Sequence, residues 1–202
     1  MPSIDAHVVV LATGGTIAGV ANHSADNVGY AAGQMGIERL VGAVPALADV
    51  PLRARQLAQL DSKDLSHALW QTLVGALTDE LTRSDVTGIV VTHGTDTLEE
   101  TAYLLQRVLA PAKPVVLTAA MRPASSLQAD GPQNLLDAVT LAREPGARGV
   151  LVVVGGRVFA GDEVRKVDAY RLDAFDAGPA GPLALVQEGT VRALRPWPGG
   201  EA

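Results

Sequence analysis

The sequence predicts an α/β fold, a three-layer sandwich built on a mainly parallel, flavodoxin-like sheet. Three observations carry this. Short β-branched runs at 8–12 (VVVLA), 89–92 (IVVT), 115–118 (VVLT) and 150–154 (VLVVV) are apolar save for a closing threonine in two of them, as strands buried on both faces should be. Segments of helical periodicity alternate with these runs, which is how parallel strands are connected. The 202 residues are 48% hydrophobic, enough for one sizeable core. We expect one domain over residues 1–195 and a tail over 196–202.

The elements follow in chain order. Val8 to Ala12 is the first strand. A polar, glycine-rich segment then runs to about Gly33 with too little periodicity for an element, and a loop of that length is expected to be a functional lid. Ile37 to Val44 reads as a short helix stopped at Pro45. From Ser62 to Leu81, leucines at 65, 69, 73, 77 and 81 recur at four-residue intervals, so a helix is predicted there, with Asp61 or Ser62 as its N-cap. Ile89 to Thr92 is the second strand. Thr97 and Glu100 have capping-box spacing ahead of a helix carrying Tyr103, Leu104 and Val108. Val115 to Thr118, a helix over Asn134 to Arg143, and Val150 to Val154 complete the alternation. Beyond Gly155 short strands and turns are expected, broken at Gly178-Pro179 and Gly181-Pro182, and RPWPGGEA at the end resembles a linker.

Composition narrows the function. The net charge is −6 and no basic run appears, which disfavours nucleic acid as a partner. There is no cysteine, so disulfides, thiolate zinc sites and a cysteine nucleophile are excluded. No metal or cofactor is expected. The opening MPSIDAHVVVLATGG lacks a basic n-region, and no apolar stretch approaches the ~18 residues of a membrane span. We expect a soluble, cytoplasmic protein with no membrane partner.

Two strands end in threonine and glycine, as TGGTIAG (13–19) and THGTDT (92–97). In open α/β sheets ligands bind at the carboxyl ends of strands, so these ends mark a candidate site. Gly14 and Gly15 permit close backbone approach and place the Thr16 hydroxyl and nearby amides beside a ligand. The same glycines also suit an anion-binding turn or a purely structural one, and the P-loop and dinucleotide spacings are absent. Asp96, beside Thr95, could receive an ammonium group, or Asp96 or Thr97 could simply cap the following helix. His93, lacking a second ligand, reads as structural. Lys166 would need burial or like-charged neighbours to act as a base.

The chain resembles the N-terminal domain of the bacterial L-asparaginase family. The resemblance rests on TGGTIAG and HGTDTLEETAY (93–103). It extends to VGAVPAL (41–47), LDSKDL (60–65), AAMRPASSLQADGPQNL (119–135) and GDEVRK (161–166), and spans about residues 8–190. It implies hydrolysis of a small amino-acid amide, L-asparagine or L-glutamine, to the acid and ammonia. Thr16 would be the nucleophile, assisted by Tyr30 from the lid. Lys166 would be the base, acting through Thr95 beside Asp96. Ser62 would hold the substrate α-carboxylate with Asp61 and Gly15 alongside, Asp96 would meet its α-ammonium, and the amides of Thr16 and Ala120 would form the oxyanion hole. The physics agrees: amide hydrolysis needs a nucleophile, a base and donors aimed at a developing oxyanion.

Two departures accompany the resemblance. The family's second, smaller domain has no counterpart in this sequence, so we expect a short form or a fragment. Lys63, after Ser62, stands where secreted members have a neutral or acidic residue, and would repel a substrate ammonium if it pointed inward. The alternatives are a non-catalytic amino-acid-binding module, a site needing a partner, and a flavodoxin-like nucleotide binder. Since a missing domain would expose apolar surface, a homodimer or homotetramer is expected.

Overall fold

The computed structural model describes residues 6–198. Its centre is an eight-stranded sheet. Five strands form the parallel part: β1 (His7–Gly14), β4 (Leu52–Leu60), β5 (Val86–Thr92), β6 (Pro114–Thr118) and β7 (Gly149–Val154). They lie in the order β7-β6-β5-β1-β4, and β8 (Arg157–Ala160), β11 (Ala184–Gln187) and β12 (Thr190–Ala193) extend the sheet antiparallel beyond β7. Two small hairpins lie outside it, β2 (Val20–Ala21) with β3 (Tyr30–Ala31) and β9 (Arg165–Lys166) with β10 (Phe175–Asp176).

The apolar runs are buried on both faces, as their composition requires. Val8, Val10, Val90, Val116, Leu151 and Val153 pack with helices α1 (Ile37–Gly42) and α4 (Gly131–Ala142). Their neighbours Val9, Leu11, Ile89, Val91, Leu117 and Val152 pack with α2 (His67–Leu81) and α3 (Leu98–Leu109). Period-two alternation thus divides each strand between two cores, one per face.

The order of strands creates a switch point. From β1 the chain passes through α1 to β4 on one side, then through α2 back across β1 to β5 on the other. Loops leaving β1 and β5 diverge, and the crevice between their carboxyl ends is where such sheets bind ligands. Handedness is also informative. The crossovers through α1, α2 and α3 share one hand, judged by direction of travel and helix face. The link β6-α4-β7 continues in the α3 direction but places its helix on the opposite face, so it has the other hand. Because about 98% of such crossovers are right-handed, the α4 link is the left-handed exception.

Several local features differ from the sequence reading. The expected helix from Ser62 is two pieces: Asp61 caps a short 3-10 turn over Ser62–Asp64, and Ser66 caps α2 proper. The capping box at Thr97 does not form, because the Thr97 hydroxyl donates to the Ser62 carbonyl at 3.0 Å. The lid contains the β2-β3 hairpin and is tied to the loop before α4, through Ala21 N to Ser125 Oγ (2.8 Å) and Ser126 Oγ to Asn27 Oδ1 (2.6 Å). Strand β4 has no counterpart in the sequence reading. At the end of the expected domain Arg195 pairs with Glu163 at 2.5 Å, and in the expected tail Trp197 packs on the core; residues 199–202 lie outside the described residues. No helix among the described residues is long and apolar enough to cross a membrane.

Candidate active site

The two threonine-glycine turns meet at their backbones. Gly15 has φ +81°, and a Cβ placed on it would lie 2.4 Å from Gly94 Cα and 2.5 Å from Gly94 N. No side chain fits at either strand end, so the β1 and β5 turns touch directly. The next residue on each side is a threonine, and both Thr16 and Thr95 are buried. Ser62 joins them: its Oγ accepts the Asp96 amide at 3.1 Å, and its carbonyl takes the Thr97 hydroxyl.

Two hydrogen-bonded groups occupy this junction. Thr16 Oγ1 lies 2.6 Å from Tyr30 OH, which β3 carries back from the lid. Lys166, in β9, donates from Nζ to Thr95 Oγ1 at 2.8 Å and to Asp96 Oδ1 at 2.7 Å. Its side chain is only 19% exposed. Its backbone is anchored as well, since Lys166 N donates to the Glu99 carboxylate at 2.5 Å from the first turn of α3. The structure therefore joins Thr16 to Tyr30, and Thr95 and Asp96 to Lys166 across 70 residues of sequence. The amides of Thr16 and Ala120 donate to no partner among the described residues.

His93 supports the turn from beneath. It is fully buried, and its Nδ1 lies 2.7 Å from the Gly94 carbonyl, which only accepts, so Nδ1 carries the proton. Trp70 Nε1 donates to Thr101 Oγ1 at 2.9 Å, leaving the Thr101 hydroxyl to donate to His93 Nε2 at 3.1 Å. Burial pushes the imidazole below its ordinary value, consistent with this neutral form. Trp70 and Thr101 were missed in the sequence because their partners lie far along the chain.

The remaining candidates divide. Asp61 does not present a free carboxylate: Lys63 Nζ donates to its Oδ2 at 2.6 Å, and Lys63 N to its Oδ1 at 3.4 Å. Lys63 is 65% exposed, and its ammonium is held above the ordinary lysine range chiefly by that hydrogen bond to Asp61. The feared inward lysine thus turns onto Asp61. Among the described residues, no group of three His, Cys, Asp or Glu side chains is placed to hold a metal ion.

Known proteins resemble this chain in sequence and in fold. Residues 7–198 match the family model described as asparaginase, N-terminal. L-asparaginase 2 of Escherichia coli is 40% identical over 188 residues, covering 92% of this chain and 53% of that protein. The glutaminase-asparaginase of Pseudomonas fluorescens is 41% identical over 187 residues, covering 91% and 51%. The crystal structure of a probable cytoplasmic L-asparaginase from Campylobacter jejuni superposes with a TM-score of 0.90 at 37% identity, covering 94% of this chain and 59% of that one. The chain spans about half the length of the curated relatives it matches. By sequence along nearly its whole length, and by fold, it belongs to the asparaginase family and corresponds to that family's N-terminal domain.

Proposed function

We propose that this chain is an amidohydrolase that releases ammonia from the side chain of L-asparagine, with L-glutamine as the second candidate substrate. One observation carries the reading most: two threonine hydroxyls, Thr16 paired with Tyr30 OH and Thr95 paired with Lys166 Nζ, flank the Gly15–Gly94 contact where β1 and β5 end. A threonine hydroxyl is a poor nucleophile alone, and each threonine here has the polarising neighbour it needs. The names of the relatives support the substrate class.

In the course we envisage, Thr16 Oγ attacks the side-chain carbonyl and passes its proton through Tyr30 to the departing amide nitrogen. The amides of Thr16 and Ala120 receive the developing oxyanion, where each donor is worth about 3–4 kcal/mol. The C–N bond breaks and ammonia leaves, giving an acyl-Thr16 ester. Water then adds, activated on the Thr95–Lys166 side, and expulsion of Thr16 yields aspartate. Ser62 and Asp96 hold the substrate's α-carboxylate and α-ammonium.

The same proposal includes assembly and location. A homodimer or homotetramer is supported by apolar side chains left outside, among them Tyr103 at 54% exposed, with Val167, Tyr170 and Leu172. A clean monomer by light scattering at micromolar concentration would contradict it. The name of the Campylobacter protein, a probable cytoplasmic L-asparaginase, supports a cytoplasmic setting, whereas a 38% identical Haemophilus influenzae relative is named a probable periplasmic one, so fractionation decides. The test of chemistry is ammonia release from both amides by the intact chain and by Thr16→Val. Release that disappears in the variant is expected. Tight aspartate binding with no release would instead support the binding-module reading.

A further inference from the structure

We infer that Asp130 and Asn134, at the start of α4, are positioning residues that hold the Ala119–Arg122 segment so that the backbone of Ala120 is presented to the substrate. The inference rests on the amidohydrolase reading above. The segment leaves the carboxyl end of β6 and would lack hydrogen-bond partners as an isolated loop. Asp130 supplies two: its Oδ1 accepts Arg122 N at 2.9 Å and its Oδ2 accepts Met121 N at 3.0 Å. Asn134, one helical turn on, donates from Nδ2 to the Ala119 carbonyl at 2.9 Å and to Asp130 Oδ2 at 3.2 Å, while its Oδ1 accepts Gly155 N at 2.9 Å. Asn134 is 1% exposed and uses both ends of its amide. The Arg122 guanidinium closes the far end on the Met121 and Tyr170 carbonyls.

Ala120 sits between these clamped groups, and its own N–H and C=O have no partner among the described residues. Buried backbone groups left over in an otherwise satisfied run are the groups a bound amide would satisfy. The same helical turn also touches the nucleophile's side of the crevice. A Cβ on Gly131 would lie 2.8 Å from Ile17 Cγ1 and 3.5 Å from Ala120 Cβ. Ile17 follows Thr16. One turn of α4 therefore sets the spacing between the Thr16 turn and Ala120.

Isosteric substitutions test this. In Asp130→Asn, one of the three donors around the carboxylate must face an NH2 group. In Asn134→Asp, a carboxylate oxygen faces the Ala119 carbonyl. Displacing Ala120 by about 1 Å should lower kcat for L-asparagine about 10- to 100-fold per folded molecule. KM and aspartate affinity should stay within about threefold, because Ser62 and Asp96 are untouched. Amide exchange at Met121 and Arg122 should quicken in Asp130→Asn, and Gln128→Ala, on the exposed part of the loop, should behave as wild type. A silent wild-type chain would end the amidohydrolase reading and this inference with it. An active wild type with variants of unchanged kcat would overturn this inference alone. So would a raised KM at constant kcat, unchanged amide exchange, or a loss that merely follows the fraction unfolded.

Discussion

Substituting Gly15 by alanine is the most direct test of how the two turns build the site. The new Cβ would sit 2.4 Å from Gly94 Cα and 2.5 Å from Gly94 N. Carbon atoms rest about 3.5–4.0 Å apart, so one backbone must withdraw by about 1 Å. Neither side can give by a rotamer change, because both sides are main chain. Left-handed φ at a non-glycine residue costs about 1–2 kcal/mol, and overpacking a rigid contact adds about 1–3 kcal/mol. Together these predict a loss of about 2–5 kcal/mol, or roughly 4–20 °C in Tm for a chain of this size. Thr16 and Thr95 are the adjacent residues, so ammonia release should fall about 100-fold in kcat as the reacting groups move apart. Gly75→Ala is the control: it lies exposed in α2 with nothing within 4 Å of the added atom, and should gain about 1 kcal/mol from helix propensity. Urea unfolding and ammonia release measure both arms. A Gly15→Ala protein that melts and turns over like wild type would refute the direct contact between the turns.

Other perturbations separate chemistry from scaffold. Lys166→Met should reduce kcat by at least about 100-fold, yet shift stability by no more than about 1 kcal/mol, because Asp96, its ion-pair partner, is half exposed; a Tm loss above 10 °C would make Lys166 structural. His93 is neutral when folded, so the unfolded chain binds its proton first on acidification. Its contribution is complete above about pH 6.5 and declines below that by up to about 1.4 kcal/mol per pH unit. Ring 15N shifts showing imidazolium in the folded protein at pH 6 would contradict this. Burial raises the Asp137 carboxyl above its ordinary range, so its contribution is present at low pH and lost as pH rises through the folded value. Asp137→Asn should then be more stable than wild type at pH 7, with the margin shrinking towards pH 3.5 in denaturant titrations.

The strands buried on both faces were legible because nothing polar interrupts them. Strand β4 was not, because an edge strand alternates Leu52 and Ala54 with Arg53 and Arg55 and reads as loop. The helix over 62–81 was read too long because leucine spacing continues through Ser66, which the chain uses as a cap. Thr97 looked like half of a capping box, but Ser62, 35 residues away, takes its hydroxyl. The same limit applies at the site. The glycine turns announce themselves locally, whereas the link from Lys166 to Thr95 depends on a β9-β10 hairpin that brings residue 166 back to the β5 turn. Resemblance to a family named that partner; periodicity did not.

The left-handed link through α4 has a consequence beyond topology. A chain joining β6 to β7 the common way would send the same helix to the face that α3 already covers over β7, leaving Val116, Leu151 and Val153 without the helix that packs on them. That topological isomer would separate the Asp130 turn from Ile17, leaving Ala120 without its brace. The other hand would therefore cost the fold part of one core as well as the brace on Ala120. For anyone rebuilding this scaffold, the hand of that one connection fixes both the packing of one face and the crevice beside it.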